Sequence, residues 1–207
     1  MTTPYRTTLP QLAPENADPK GRELLERAKK QLGMIPNMYA AMANAPEALD
    51  TYLYGYERFR KESGFSPAEQ EVVFLTISYE NGCEYCMAAH SAIADTRSGV
   101  PRDVTDAIRN GTEIGDRRLR ALSDFTRTML RKRGRPDQED VDSFLAAGFS
   151  EKQVLDIVLA IAVKTISNYT NHVFDTPVDA PFKGRVWKPA DAAPRPVRSP
   201  AAGAQMR

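Results

Sequence analysis

The chain of 207 residues is short of cysteine and histidine, with two of each, and short of any excess charge, since 28 basic against 27 acidic residues leave a net charge of +1. A single cysteine pair cannot staple a fold, because two cysteines three apart could bridge only their own helix turn. A balanced charge draws in neither nucleic acid nor an acidic partner, so nucleic-acid binding is not expected. Long apolar runs are missing as well, and the start MTTPYRTTLPQLAPENADP has no basic region followed by an apolar stretch. This predicts no membrane span and a cytoplasmic location. Period-two alternation long enough for a strand is also absent, so the predicted class is all-α. What the chain does have is 42% hydrophobic residues, enough for one good core or two small coupled ones.

Helix signals follow one another along the sequence. Asp18 can cap a helix to about Leu32, and Pro36-Asn37 restarts one to about Ala43. Pro46 opens a segment with Leu49, Tyr52, Leu53, Tyr56 and Phe59 at helical spacing, stopped by Ser63-Gly64. Ser66-Pro67-Ala68-Glu69 is a capping signature ahead of the apolar run Val72 to Ile77. Tyr79 to Gly82 breaks the chain before a helix to about Ser98, and a shorter helix is expected to Arg109. Asp116 to Arg133 is predicted as an amphipathic surface helix whose basic residues, Arg127, Arg131, Lys132, Arg133 and Arg135, form a solvated C-terminal end. Pro136-Asp137 starts a helix to Ala147, and Ser150 starts a long one, apolar nearly all round from Val154 to Ile166 and therefore expected in the core. Residues 1–17 are expected to be a flexible N-terminal segment, 18–187 the helical domain, and 188–207, with four prolines, a disordered tail.

The chemistry is concentrated in Gly82-Cys83-Glu84-Tyr85-Cys86-Met87-Ala88-Ala89-His90, which holds both cysteines and one histidine. At a helix start, residues three apart are neighbours on the first turn, so Cys83 and Cys86 can cycle between dithiol and disulfide. The free N–H groups and positive dipole end of that turn favour a thiolate. His90 lies four residues after Cys86, on the same face, placed as a base or hydrogen-bond partner. In a reducing compartment such a pair is more often redox-active or metal-binding than structural. Zinc on Cys83, Cys86, His90 and Glu71 is the principal rival, although ligands strung along one helix are less usual than ligands spread over loops. Glu71 by itself would be a solvated helix residue; its place in an apolar run and its spacing from Cys83 single it out. His172 is expected at the surface or at a helix end, and Met34, Met38 and Met42 in the core or at a subunit contact.

A shift of 84 residues lays Gly64-Phe65-Ser66 over Gly148-Phe149-Ser150, Leu75 over Leu159, Ile77 over Ile161 and Tyr85 over Tyr169, which suggests two related halves. Ser167 and Thr170 then stand where the first copy has its cysteines, so the second copy would be structural.

Glu71, Cys83, Cys86 and His90 together resemble the Glu-x11-Cys-x2-Cys-x3-His signature of the alkylhydroperoxidase D-like family, which is grouped with the carboxymuconolactone decarboxylases. Gly33-Met34-Ile35-Pro36-Asn37 with Ala45-Pro46-Glu47, and Asn168 to Phe182, resemble flanking segments of its peroxidase-related branch, so that the likeness spans roughly residues 30 to 182. The resemblance implies an all-α fold with an internal two-fold helical repeat and a homo-oligomer, trimer or hexamer. It implies Cys86 as the thiolate that attacks a peroxide, Cys83 as the resolving thiol, and Glu71 with His90 as a proton relay. A dithiol or thioredoxin-like reductant would reset the pair. No haem, flavin, nucleotide or metal is implied. Tyr85 stands where the best-known members carry a histidine, and a tyrosine donates a hydrogen bond but is a poor base near neutral pH. The alternatives are a carboxymuconolactone-decarboxylase-type lyase, whose branch generally lacks the CxxC, and a non-enzymatic helical assembly that binds zinc or senses oxidants.

Overall fold

A computed structural model describes residues 3–189. Its helices are α1 (Pro19–Leu32), α2 (Asn37–Met42), α3 (Pro46–Glu62), α4 (Pro67–Glu80), α5 (Glu84–Ile93), α6 (Arg102–Asn110), α7 (Arg117–Arg131), α8 (Gln138–Ala146) and α9 (Glu151–Phe174), and the described residues contain no strand. Most boundaries are set locally. Asp18 accepts a hydrogen bond from the Gly21 amide, and Asp116 from the Leu119 amide. Ser66 and Glu69 cap α4 reciprocally, as Ser150 and Gln153 cap α9. These are the capping arrangements that satisfy the free amides of a first turn. α5 runs on into a π-helical turn, Ala94–Ser98, which ends at Gly99 in the left-handed conformation.

α4 forms the centre. Every residue from Glu69 to Ser78 is buried, because α5, α6, α7 and α9 surround the helix. One apolar cluster lies between α4, α6, α7 and the start of α9, and a second between α1, α2, α3 and α5. Both cysteines belong to the second. α3 crosses α9 closely at Gly55, where an added Cβ would lie 2.8 Å from Val163 Cγ2. Valine has no flexible end to swing away. Gly55→Ala is therefore expected to destabilise the fold by about 1–3 kcal/mol, measured as a lower midpoint of chemical denaturation.

Two expectations need correction. α9 is not apolar core all round: it packs against α2, α3, α4, α5 and α7 on one side only, so Leu155, at 70% exposure, and Val158, Tyr169 and Val173 face outward. The same helix turns Lys164, Asn168 and Asn171 inward. The basic end of α7 is not simply solvated either, since Arg127 and Arg131 converge on the nearly buried carboxylate of Glu80 at 3.1 and 2.9 Å, joining α7 to the end of α4. Within residues 3–17, Thr7 N–H bonds to Val173 O, Leu12 N–H to Ala40 O, and Pro10 O accepts from the Asn44 amide. The expected C-terminal tail lies outside the described residues from residue 190 onward.

The 84-residue repeat is not confirmed, although Gly64 and Gly148 both adopt positive φ and both are followed by a serine capping box. The correspondence then diverges, because α4 stops at Glu80 and a new helix begins after Cys83, whereas α9 continues unbroken through the matching stretch. Among the described residues no helix is long and apolar enough to cross a membrane.

Candidate functional site

Asn81-Gly82 ends α4, with Gly82 at φ 68, and the Cys83 amide bonds to Ser78 O, turning the chain into α5. Cys83 is thereby the N-cap of α5 and Cys86 sits in its first turn. Both are free thiols and both are buried.

The four residues singled out from the sequence gather here in two pairs. Glu71 on α4 faces His90 on α5, with Oε2 2.8 Å from Nδ1, and both side chains are buried. The other Glu71 oxygen receives a hydrogen bond from Arg60 of α3. Burial alone would raise the Glu71 pKa, but His90 and Arg60 outweigh it and hold the carboxyl below its ordinary value. His90 is shifted down, first by burial and then by the nearby Lys164 charge, against the pull of Glu71. A carboxylate only accepts hydrogen bonds, so the neutral imidazole must carry its proton on Nδ1, which leaves Nε2 as the basic nitrogen.

The second pair is Cys83 and Cys86. Asn171 of α9 donates its side-chain amide toward both sulfurs, 3.3 Å from Cys86 Sγ and 3.8 Å from Cys83 Sγ. Burial pushes the Cys86 thiol up, yet a hydrogen bond from Cys83, the Lys164 charge and His90 together bring it well below the ordinary value. Cys83 moves the opposite way, mainly because it donates to Cys86 and because it is buried. One sulfur is thus poised as a thiolate and its neighbour as a thiol.

Tyr85 is engaged elsewhere. Its hydroxyl donates to Asp179 Oδ2 at 2.5 Å, and burial together with that carboxylate pushes its pKa up. Asp179 also accepts from the Asn37 amide at 3.2 Å, so the three residues clamp α5, α2 and the C-terminal segment together. His172 is exposed and stacks on Tyr169.

A cavity of about 510 Å³ adjoins His90, with Tyr39, Tyr52, Tyr56, Arg60, Tyr85, Met34 and Phe182 also in its wall and neither cysteine among its lining. Cys86 belongs to the same buried cluster as Tyr39, Tyr52 and Tyr85. The zinc arrangement considered from spacing does not form: Glu71 spends its oxygens on Arg60 and His90, and no three His, Cys, Asp or Glu side chains among the described residues are grouped to hold a metal ion.

The sequence pattern of the carboxymuconolactone decarboxylase family matches residues 40–126, from α2 through most of α7 and across the whole Glu71–His90 constellation. Over that segment the chain is similar to the carboxymuconolactone decarboxylase family. No curated protein matches the chain by sequence. Among solved structures, the chain is similar to an alkylhydroperoxidase D core, a peroxidase-related protein from Ralstonia eutropha, with 22% identity, a TM-score of 0.75, and 87% of this chain and 97% of that one covered. It is similar to a peroxidase-related protein from a Silicibacter species, with 24% identity, a TM-score of 0.72, and 89% and 98% covered. It is also similar to the debrominase Bmp8, solved as a cysteine-to-alanine variant with 2,3,4-tribromopyrrole, at 19% identity, a TM-score of 0.69, and 88% and 97% covered. The fold is therefore the all-α alkylhydroperoxidase D-like fold.

Sequence reading missed Arg60, Lys164, Asn171 and Asp179 as site residues. Lys164 did leave a signal: it is the one charged residue between Ile157 and Ile166, and a lysine alone in an apolar run is either turned out to solvent or buried for a reason. Asn171 and Asp179 fall within the 168–182 stretch that carried part of the family resemblance, but nothing in their spacing ties them to the cysteines.

Proposed function

We propose that the protein is a thiol-dependent peroxidase or disulfide oxidoreductase. Cys86 would be the attacking thiolate and Cys83 the resolving thiol, with the Glu71–His90 pair supplying a base. The observation that carries this reading is the placement of two free thiols at the start of α5, Cys83 as its N-cap and Cys86 in its first turn, both facing the Asn171 amide and followed by the Glu71–His90 pair. Attack on a peroxide forms an S–O bond and breaks the O–O bond, leaving Cys86 as a sulfenic acid and the peroxide as an alcohol. Cys83 then displaces the hydroxyl as water and closes the disulfide, which stops oxidation short of the irreversible acids. A dithiol or thioredoxin-like partner returns both thiols by exchange. The aromatic-walled cavity supports an organic peroxide over hydrogen peroxide as the substrate.

The test is oxidation of the reduced, metal-free protein by one equivalent of cumene hydroperoxide, followed by thiol titration and mass. The expected result is loss of both titratable thiols and of two hydrogens, at a rate above that of a free thiol. No faster oxidation than a free thiol would overturn the peroxidase reading.

The same cavity favours a second reading. Tyr39, Tyr52, Tyr56 and Phe182 suit a flat ring, and the likeness to the debrominase raises reductive dehalogenation of an aromatic substrate, in which the dithiol supplies two electrons and becomes a disulfide while halide leaves. Bromide release from 2,3,4-tribromopyrrole, without peroxide turnover, would favour it. The lyase reading has less support, because the cavity's Arg60 is already committed to Glu71 rather than free for a lactone acid.

A further inference from the structure

α9 inverts the usual arrangement of an amphipathic helix, with Leu155 and Val158 in solvent and Lys164 fully buried. Among the described residues, Lys164 Nζ makes no hydrogen bond of regular geometry, but it comes within reach of the Cys86 sulfur; it lies 5.5 Å from the ring centroid of Phe74, whose ring in turn lies 5.0 Å from that of His90. Lys164, Asn168 and Asn171 follow at i, i+4 and i+7 and so share one face of α9. Asn171 on that face reaches both sulfurs. The Asn168 side-chain nitrogen and the Asn171 side-chain oxygen are also buried without partners. A buried ammonium without a hydrogen-bonded counter-ion opposes folding, so its retention calls for a role outside packing.

We propose that Lys164 is the counter-ion of the Cys86 thiolate and the group with which Cys86 exchanges its proton. The inference rests on Cys86 being the reactive sulfur, as in the function proposed above. In the reduced protein the Cys86 thiol gives its proton to the Lys164 amine. When the thiolate attacks a peroxide, the S–O bond forms, the O–O bond breaks, and the departing alkoxide takes the proton from the Lys164 ammonium and leaves as an alcohol. Cys83 then condenses with the sulfenic acid, releasing water and leaving the lysine neutral. Reduction of the disulfide by an outside dithiol returns two thiols, and the Cys86 proton recharges Lys164. Lys164 thus supplies the proton that Tyr85, committed to Asp179, does not.

The test measures the pH dependence of iodoacetamide labelling at Cys86, resolved by peptide mass, in the wild type, Lys164→Met and Lys164→Arg. Labelling needs no peroxide, so the proposal can succeed or fail separately from the peroxidase assignment. Other groups around Cys86 are Cys83, Tyr85 and His90 on α5, Tyr39 on α2, Tyr52, Tyr56 and Arg60 on α3, and Glu71 on α4, all left intact by these variants. Lys164→Met is expected to move the labelling midpoint up by about one pH unit or more and to slow labelling near neutral pH about tenfold, while thermal stability is kept or increased. Lys164→Arg is expected to keep the low midpoint. An unmoved midpoint in Lys164→Met would overturn the proposal. Should that variant fail to fold, Lys164→Gln is measured instead, and failure of both to fold would assign Lys164 a structural role and overturn it as well.

Discussion

Replacing Cys86 by serine is expected to abolish peroxide-dependent oxidation, leaving no more than the rate of an unassisted thiol at Cys83. Replacing Cys83 is expected to leave the first step and lose the second. The asymmetry follows from the site: Cys86 is the sulfur brought down by its neighbours, whereas Cys83 is raised by donating its hydrogen bond and by burial. In Cys83→Ser a sulfenic acid should therefore accumulate on Cys86, trapped by dimedone and seen as the corresponding mass adduct, with no disulfide and no multiple turnover. The serine hydroxyl can still donate to the Cys86 thiolate, so the first oxidation should slow by about tenfold at most. A sulfenic acid trapped on Cys83 in Cys86→Ser, and none in the reverse variant, would exchange the two roles.

Glu71→Ala is expected to cost about 3–5 kcal/mol of stability, read from chemical denaturation. The substitution takes from the largely covered Arg60 guanidinium its only carboxylate partner among the described residues, leaving it Gln70 and Tyr56, and removes the acceptor that fixes the His90 tautomer. Glu71→Gln should cost less stability, because an amide oxygen can still accept from one neighbour, but its effect on the site should persist: without a carboxylate, His90 Nδ1 is no longer the required donor. The pH dependence has a definite sign. Glu71 is held below its ordinary value in the fold, so its contribution is present above about pH 4.5 and is lost as pH falls through the folded value. His90 is also shifted down, and since the unfolded chain takes up a proton that the folded site resists, its share is lost as pH falls below about 6.5. Both act in the same direction, and in Glu71→Ala the carboxylate's share of the acid limb, below about pH 4.5, should vanish while that of His90 stays.

Much of this fold was legible because helix starts are local. Asp18, Ser66, Asp116 and Ser150 each bond an amide three residues away, so the signal and its structural effect lie within one turn. The cysteine pair was legible for the same reason. Glu71 could be singled out by its spacing from Cys83, but its ion pair with Arg60 could not, because the partners sit on different helices and neither position departs from an ordinary helix pattern. α9 was misjudged at its outer face: a run of apolar residues does not say which side other helices will cover, and here Leu155 was left out and Lys164 taken in.

The sequence by itself determined the helical class, most helix boundaries, the cysteine pair at a helix start and the histidine one turn beyond it, since each depends on spacing along a single helix. Only the tertiary structure decided which charges surround the pair. Arg60, Lys164, Asn171 and Asp179 arrive from α3, α9 and the C-terminal segment, and their effect depends on distance and burial, which packing sets and periodicity does not record.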